Sequence, residues 1–127
     1  MRSVDTNALV RLVTGDDERQ FAAAARYVTG GSWVSHLALA ETTWVLRSVY
    51  QRTSRQVALA IERLLDHETV VLQDADVVRA ALEAFRKRPG IGFSDCLMLE
   101  VARKAGHLPL GTFDRDLANL DGAERID

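Results

Sequence analysis

The chain alternates short apolar runs rich in β-branched residues with amphipathic segments of helical period, and this alternation limits its fold more than any other feature. The residues before Asp5 and the runs "SWVS", "TVVLQ" and "LPLGTF" predict strands, "AERI" is a possible last strand, and the segments between them predict helices. Parallel strands need crossover connections of this kind. We therefore expect an α/β fold of three layers, with helices on both faces of a mostly parallel sheet of four or five strands.

Capping residues predict where several helices begin and end. A helix over about 17–29 is predicted to stop at Gly30-Gly31. Two residue pairs have the spacing of a capping box and mark the starts of two helices: Asp17 with Gln20, and Thr53 with Gln56. Single serines can cap two further helices, Ser35 and Ser94. The unbroken apolar run "TVVLQ" also predicts a strand that is covered on both faces.

Length and composition indicate one domain over residues 1–127. The 47% hydrophobic content and the two prolines are typical of a packed globule, and no stretch has the composition of a linker. No apolar segment has the length of a signal peptide or a membrane span. The single cysteine, Cys96, lies in an apolar helical segment, which favours a packing role and a reducing compartment. We therefore expect a cytoplasmic protein.

Four acidic residues occupy related positions along the chain. Asp5 follows the first strand and Asp114 follows "LPLGTF", while Glu41 and Asp95 lie early in helices. In a parallel sheet these positions map to the carboxyl edge, where ligands bind in open α/β folds. Each acid alone has a structural explanation, because a carboxylate at a helix N-terminus caps backbone N–H groups or interacts with the helix dipole.

Glu41 is the most informative of the four acids. Its helical neighbours one turn away are all apolar: Leu37, Ala38, Trp44 and Val45. A carboxylate on an apolar face is costly unless it is protonated, paired with a base or bound to a cation. No lysine or arginine lies one turn away, although a distant basic partner remains an alternative.

Four carboxylates on one edge repel one another unless a positive charge lies among them. The three histidines, His36, His67 and His107, share no ligand spacing. Oxygen ligands without histidine or cysteine favour a hard cation, Mg²⁺ or Mn²⁺. Such a site indicates phosphodiester or phosphoryl chemistry on a polyanionic substrate. The basic run at 86–88 either caps its helix or contacts phosphate.

Four segments resemble, in order and spacing, the acidic motifs of PIN-domain ribonucleases, and specifically of the VapC toxins: "VDTNALVRL", "LAETTWVL", "GFSDCLMLEVARK" and "GTFDRDL". The resemblance implies a PIN-like sandwich with a catalytic quartet of Asp5, Glu41, Asp95 and Asp114. Asp5, Asp95 and Asp114 would bind the metal. Asn7 and Thr112 would orient these carboxylates. Asp116 could share or replace the role of Asp114.

The resemblance also implies a reaction and partners. The reaction would be Mg²⁺-dependent hydrolysis of RNA such as transfer or ribosomal RNA. A VapB-type antitoxin would silence the enzyme, which would be a homodimer without a membrane partner. One alternative is a receiver-type signalling domain with Asp74 as its phosphate acceptor, although no lysine follows Lys104. Another is a catalytically silent module that binds RNA or a protein partner.

Overall fold

The structure is a computed structural model that describes all 127 residues. Residue contacts divide the chain into two compact units, Met1–Ala75 and Asp76–Asp127. Every strand pair is parallel, and helices separate the strands along the chain, which confirms the predicted α/β class. Backbone hydrogen bonds group the five strands into a three-stranded sheet in the first unit and a two-stranded sheet in the second.

The first unit contains a sheet in the order β1-β2-β3 and four helices. Its strands are β1 (Arg2–Ser3), β2 (Ser32–Val34) and β3 (Val70–Leu72). Its helices are α1 (Thr6–Thr14), α2 (Glu18–Val28), α3 (His36–Ser48) and α4 (Ser54–Asp66). Leu9 of α1, Leu39 of α3 and Ile61 of α4 are fully buried, so these helices supply the core.

The three-stranded sheet is buried on one face and exposed on the other. Val34 and Leu72 are buried, whereas Trp33 and its register partner Val71 are 38% and 45% exposed. The prediction that "TVVLQ" is covered on both faces is therefore wrong. The pleat sends alternate residues to opposite faces, and a run of valines does not by itself indicate a second covering layer.

Most predicted caps are present in the structure. Asp17 accepts a hydrogen bond from the Gln20 N–H at 3.0 Å, Ser35 caps α3, and Thr53 forms both bonds of a capping box with its partner. The prediction that Ser94 caps a helix is wrong, because that helix begins at Phe93, two residues before the predicted start. Gly92 precedes it and has no side chain with which to accept a hydrogen bond.

The second unit contains two longer helices and a short parallel strand pair. In chain order the elements are α5 (Ala75–Lys87, which begins at the boundary residue), α6 (Phe93–Ala105), β4 (Leu110–Thr112), α7 (Arg115–Ala118) and β5 (Ala123–Arg125). Phe85 and Phe93 meet edge to face with ring centroids 5.9 Å apart, which joins the cores of α5 and α6. None of the helices has the combination of length and hydropathy that a membrane span requires.

A polar network joins the turn between α1 and α2 to Tyr50, which lies two residues after the end of α3. Arg11 donates from Nη1 to both carboxylate oxygens of Asp16, at 3.0 and 2.9 Å. The Tyr50 hydroxyl donates to the same carboxylate at 2.7 Å, and the Thr14 hydroxyl lies 2.8 Å from it. These hydrogen bonds, that of Tyr50 first, lower the pKa of Asp16 to about 2. The ionised carboxylate therefore stabilises this part of the fold.

We expect this network to make stability depend on pH in acid solution. The pKa of Asp16 in the folded state is below its ordinary value of 3.8, so its contribution is present above pH 4 and is lost as the pH falls through about 2. Asp16→Asn should melt below wild type at pH 7, and the difference should close between pH 4 and 2. Thermal melts across this range measure it. Asp127→Asn, at the chain end, should follow wild type, and an unchanged gap at pH 2 would contradict the assignment.

Candidate active site

Asp5 lies where β1 ends and α1 begins. The Val4 N–H donates to the Trp33 carbonyl at 3.3 Å, which extends the strand pairing to the residue before Asp5. Asp5 Oδ1 accepts from the Ala8 N–H at 2.9 Å and so caps α1. The other oxygen, Oδ2, has no hydrogen-bond partner. The exposed carboxylate borders a cavity of about 480 Å³ formed with residues of α1 and α2.

Thr6, which follows Asp5 at the start of α1, contacts Glu41. The sequence alone did not single out this threonine. The Thr6 hydroxyl donates to Glu41 Oε2 at 3.3 Å. Because β1 and β2 are neighbouring parallel strands, the helices that follow them begin at the same edge of the sheet. The sequence feature that could have indicated Thr6 is a hydroxyl side chain directly after Asp5, at the first position of a predicted helix. Asn7, expected to orient a carboxylate, is exposed and makes no side-chain hydrogen bond.

The expectation that Glu41 lies on a desolvated apolar face is wrong. Leu37 and Trp44, its neighbours one turn away, are 70% and 65% exposed, and Glu41 is itself exposed. The buried face of α3 carries other residues, including Leu39 and Leu46. An apolar neighbour in the sequence therefore did not imply a low dielectric around this carboxylate.

Asp114 occupies in the second unit the kind of position that Asp5 occupies in the first. It follows β4, and its Oδ1 accepts from the Asp116 and Leu117 N–H groups at 2.8 and 3.0 Å, which caps α7. The Thr112 hydroxyl accepts from the Asp114 N–H at 3.0 Å and fixes the turn. Oδ2 of Asp114 has no hydrogen-bond partner. The side chain of Asp116 is exposed and also without a partner.

Asp95 lies in the first turn of α6 and is partly buried. Burial raises its pKa, and the negative charge of Asp114 raises it further. The second effect requires the two carboxylates to lie within electrostatic range of each other. These two acids, 19 residues apart in the sequence, therefore form a pair in the second unit.

Cys96 follows Asp95 on α6 but points into the core, where it is 1% exposed. Burial, together with the charges of Asp95 and Glu100, raises the pKa of its thiol to about 11. A protonated and buried thiol is a poor nucleophile. The residue packs in the core, as its apolar surroundings in the sequence indicate.

The structure thus shows one group of acids in each unit. Asp5 and Glu41 flank the start of α1 in the first unit, and Asp95 pairs with Asp114 in the second. Within neither unit do three His, Cys, Asp or Glu side chains form a group that could hold a metal ion. Asp95 follows the loop after α5 rather than a strand, so the strand order of the structure does not by itself account for its expected position at the carboxyl edge of the sheet.

The donor chemistry of these acids fits a hard divalent cation. Both Asp5 and Asp114 use one carboxylate oxygen for a helix cap and keep the other without a partner. The Asp95 carboxylate makes no hydrogen bond and carries the cost of burial and of a neighbouring charge. A cation would relieve that repulsion, and carboxylate oxygens are the ligands that Mg²⁺ and Mn²⁺ prefer.

A second cavity, of about 500 Å³, lies among the helices of the first unit and contains none of the four acids. Its walls are mostly apolar, from Leu12, Val13, Phe21, Leu46 and Leu59, and its polar lining includes Arg52, Arg63 and His67.

Elsewhere, the basic run at 86–88 is exposed, and Lys87 forms a surface ion pair with Glu83 at 3.3 Å. His36 has a buried ring nitrogen, Nε2, without a hydrogen-bond partner.

Comparison with known proteins identifies one family. A family model of the PIN domain matches residues 3–123. Among solved structures, the chain is similar to Mycobacterium tuberculosis VapC20, a toxin that cleaves the sarcin-ricin loop, with 22% identity over 98% of each chain and a TM-score of 0.42. A comparison with curated proteins found no significant match.

We expect the Asp95–Asp114 pair to destabilise the protein when no metal is present. The pKa of Asp95 is raised on folding, so the stability of its protonated form is present below the ordinary pKa of 3.8 and is lost as the pH rises through the raised value. At pH 7.5 in EDTA, Asp95→Asn should therefore melt above wild type, by about 3–5 °C for each kcal/mol of repulsion relieved. In millimolar Mn²⁺ wild type should melt above Asp95→Asn, because only wild type keeps the Asp95 carboxylate as a ligand for the ion.

Asp76→Asn is the matched control for this measurement. Asp76 is in the same unit, but Lys104 donates a hydrogen bond to its carboxylate at 3.1 Å and lowers its pKa. Asp76→Asn should therefore not raise the melting temperature. Thermal melts of the three proteins in EDTA and in Mn²⁺ give the comparison. If wild type melts highest in EDTA and gains nothing from Mn²⁺, the Asp95 carboxylate is a structural group.

Proposed function

Because this chain belongs to the PIN-domain family, whose model spans residues 3–123, we propose that it is a metal-dependent endoribonuclease and the toxin of a VapBC-type toxin–antitoxin pair. The observation that carries the proposal is the position of Asp114, which uses one carboxylate oxygen to cap α7 and leaves the other without a partner, close enough to Asp95 for its charge to raise the pKa of that acid. Two carboxylates kept in mutual repulsion are a typical arrangement at a functional site. The substrate class, RNA, comes from the motif resemblance.

In this proposal Asp5, Asp95 and Asp114 hold Mg²⁺, or Mn²⁺ in its place, and Glu41 completes the catalytic quartet. The bound ion would supply a water of lowered pKa and stabilise the charge that develops on the phosphodiester. The chain's own groups orient the carboxylates. The helix caps direct Asp5 and Asp114, the Thr112 hydroxyl holds the turn before Asp114, and Thr6 holds Glu41. Asp116 stays a candidate to share or replace the role of Asp114, and Asn7 stays a candidate to orient a carboxylate.

The receiver-domain alternative loses its support. Such a domain needs its acceptor aspartate after a central strand, whereas Asp74 follows β3, which is at the end of the strand order β1-β2-β3. The PIN-domain match also accounts for nearly the whole chain. A catalytically silent module that binds RNA or a protein is the remaining alternative, and a cleavage assay separates it from the nuclease.

We expect Asp5→Asn, Glu41→Gln and Asp95→Asn each to lower the initial rate of RNA cleavage at least ~100-fold, because positioning the metal and the water is most of the catalysis. Each replacement removes a charge and keeps a similar shape, and asparagine still accepts a hydrogen bond at a helix cap. Circular dichroism should therefore show folded proteins.

The assay uses purified protein with total RNA and Mg²⁺, and the 5′ ends of the products identify the RNA and the cleavage site. Asp66→Asn, an exposed acid of α4, should cleave at the wild-type rate. Full cleavage by Asp95→Asn would overturn the proposed site. RNA binding by a folded wild-type protein that never cleaves would favour the silent module.

The proposal also includes a VapB-type antitoxin and a homodimer. The 500 Å³ cavity supports a protein partner, because apolar walls beside Arg52 and Arg63 suit an amphipathic segment that carries acidic side chains. If the four acids form one site as proposed, a basic side chain of the partner would bind them in a second contact, in the place of the metal. The homodimer comes from the family resemblance and is tested by light scattering.

We expect inhibition to depend on basic side chains of the antitoxin. Replacing its Arg and Lys residues in the segment that covers the acids should weaken inhibition by about 10-fold or more, since each buried charged pair contributes strongly to affinity. Titration of RNA cleavage with wild-type and altered antitoxin measures this. Alanine replacements of basic residues elsewhere in the antitoxin are the control, and equal inhibition by all of these proteins would contradict the charge mechanism.

A further inference from the structure

The aromatic ring of Phe113 lies in solvent directly beside a proposed catalytic acid. Phe113 is 73% exposed, more than any other large apolar side chain except Met1. It stands between Thr112, the last residue of β4, and Asp114. Exposure of a whole phenyl ring has no packing explanation in this unit, so its contact with another molecule is the property to examine.

The backbone that carries the ring is fixed on both sides. The Thr112 carbonyl accepts from the Ile126 N–H at 2.8 Å, and the Thr112 hydroxyl accepts from the Asp114 N–H at 3.0 Å. Asp114 in turn caps α7 through two N–H groups. The ring is therefore exposed on a fixed turn rather than on a free loop, and binding a partner costs little backbone entropy.

The charged residues that neighbour Phe113 along the chain and across the strand pair favour RNA over an apolar protein surface. Arg115 follows Asp114, and Arg125 is the register partner of Thr112 on β5. Both arginines are exposed and neither guanidinium group has a partner. Protein interfaces are depleted of charge at their centre, whereas single-stranded RNA offers bases that stack on aromatic rings and phosphates that bind arginine.

We propose that Phe113 stacks on a base of single-stranded RNA next to the bond that is cut, and so positions the chain at Asp114. The inference rests on the proposed ribonuclease function and adds a substrate-positioning residue to it. Stacking on a flat ring is tolerant of sequence, so it also implies that cleavage needs an unpaired base at this position.

The test compares Phe113→Ala, Phe113→Leu and Phe113→Tyr, with randomised short single-stranded oligoribonucleotides carrying a fluorescein label as the probe. Removal of the flat ring by Ala or Leu should weaken binding and raise KM by roughly 5- to 100-fold, with a smaller change in kcat, and Tyr should restore both. Val101→Ala, which truncates another exposed apolar side chain of the same unit, should match wild type.

Fluorescence anisotropy gives the affinity independently of cleavage, and light scattering gives the oligomeric state. If wild type cleaves and Phe113→Ala keeps its KM and affinity, the stacking inference is wrong while the ribonuclease stands. Equal behaviour of Leu and Tyr, or a change of oligomeric state in Phe113→Ala, would also overturn it and indicate a protein contact. If binding depends on the ring but wild type does not cleave, stacking stands and the nuclease proposal fails. If wild type neither binds nor cleaves, both fail.

Discussion

The structure depends most on how each parallel strand turns into the helix that follows it. After β1, β2 and β4 the chain places a side-chain oxygen that accepts the first unpaired N–H groups of the next helix. The three capping residues are Asp5, Ser35 and Asp114. A serine hydroxyl has only one oxygen and is used by the cap, whereas an aspartate keeps a second, charged oxygen. Capping and ligand binding can therefore share one residue.

Because one aspartate can both cap a helix and bind a ligand, acids that repel one another can still be held in place. The cap fixes the direction of each carboxylate before any ligand arrives, which is the preorganisation that an active site needs. The positive end of the helix dipole offsets part of the local negative charge at the same time. Asp95 has no such cap bond, and it is the acid whose pKa burial and a neighbouring charge raise.

The sequence predicted the elements well because local signals define them. The capping box of Thr53, the cap of Ser35 and the alternation of strands with helices depend on neighbours in the chain and are present in the structure. The failures concern what covers a residue. Val71 and the face of Glu41 are exposed, although their sequence neighbours are apolar, because burial depends on which element packs from elsewhere.

For the candidate site as well, the sequence predicted the local features and missed a contact between distant parts of the chain. The positions of Asp5 and Asp114 after strands followed from the pattern, and their cap bonds are local. The Thr6–Glu41 hydrogen bond joins residues 35 apart, and the pairing of Asp95 with Asp114 also spans distant parts of the chain. No sequence pattern indicated the contact between Thr6 and Glu41, which only the fold could supply. The motif resemblance, by contrast, had already implied that Asp95 and Asp114 act together.

The buried thiol of Cys96 gives the protein a practical property. Its pKa of about 11 and its 1% exposure leave no reactive thiolate at neutral pH. A cysteine introduced at an exposed position would therefore be the single site for maleimide dyes or cross-linkers in the native protein. The natural residue can stay in place, so distances between chosen positions can be measured by fluorescence without first disturbing the core.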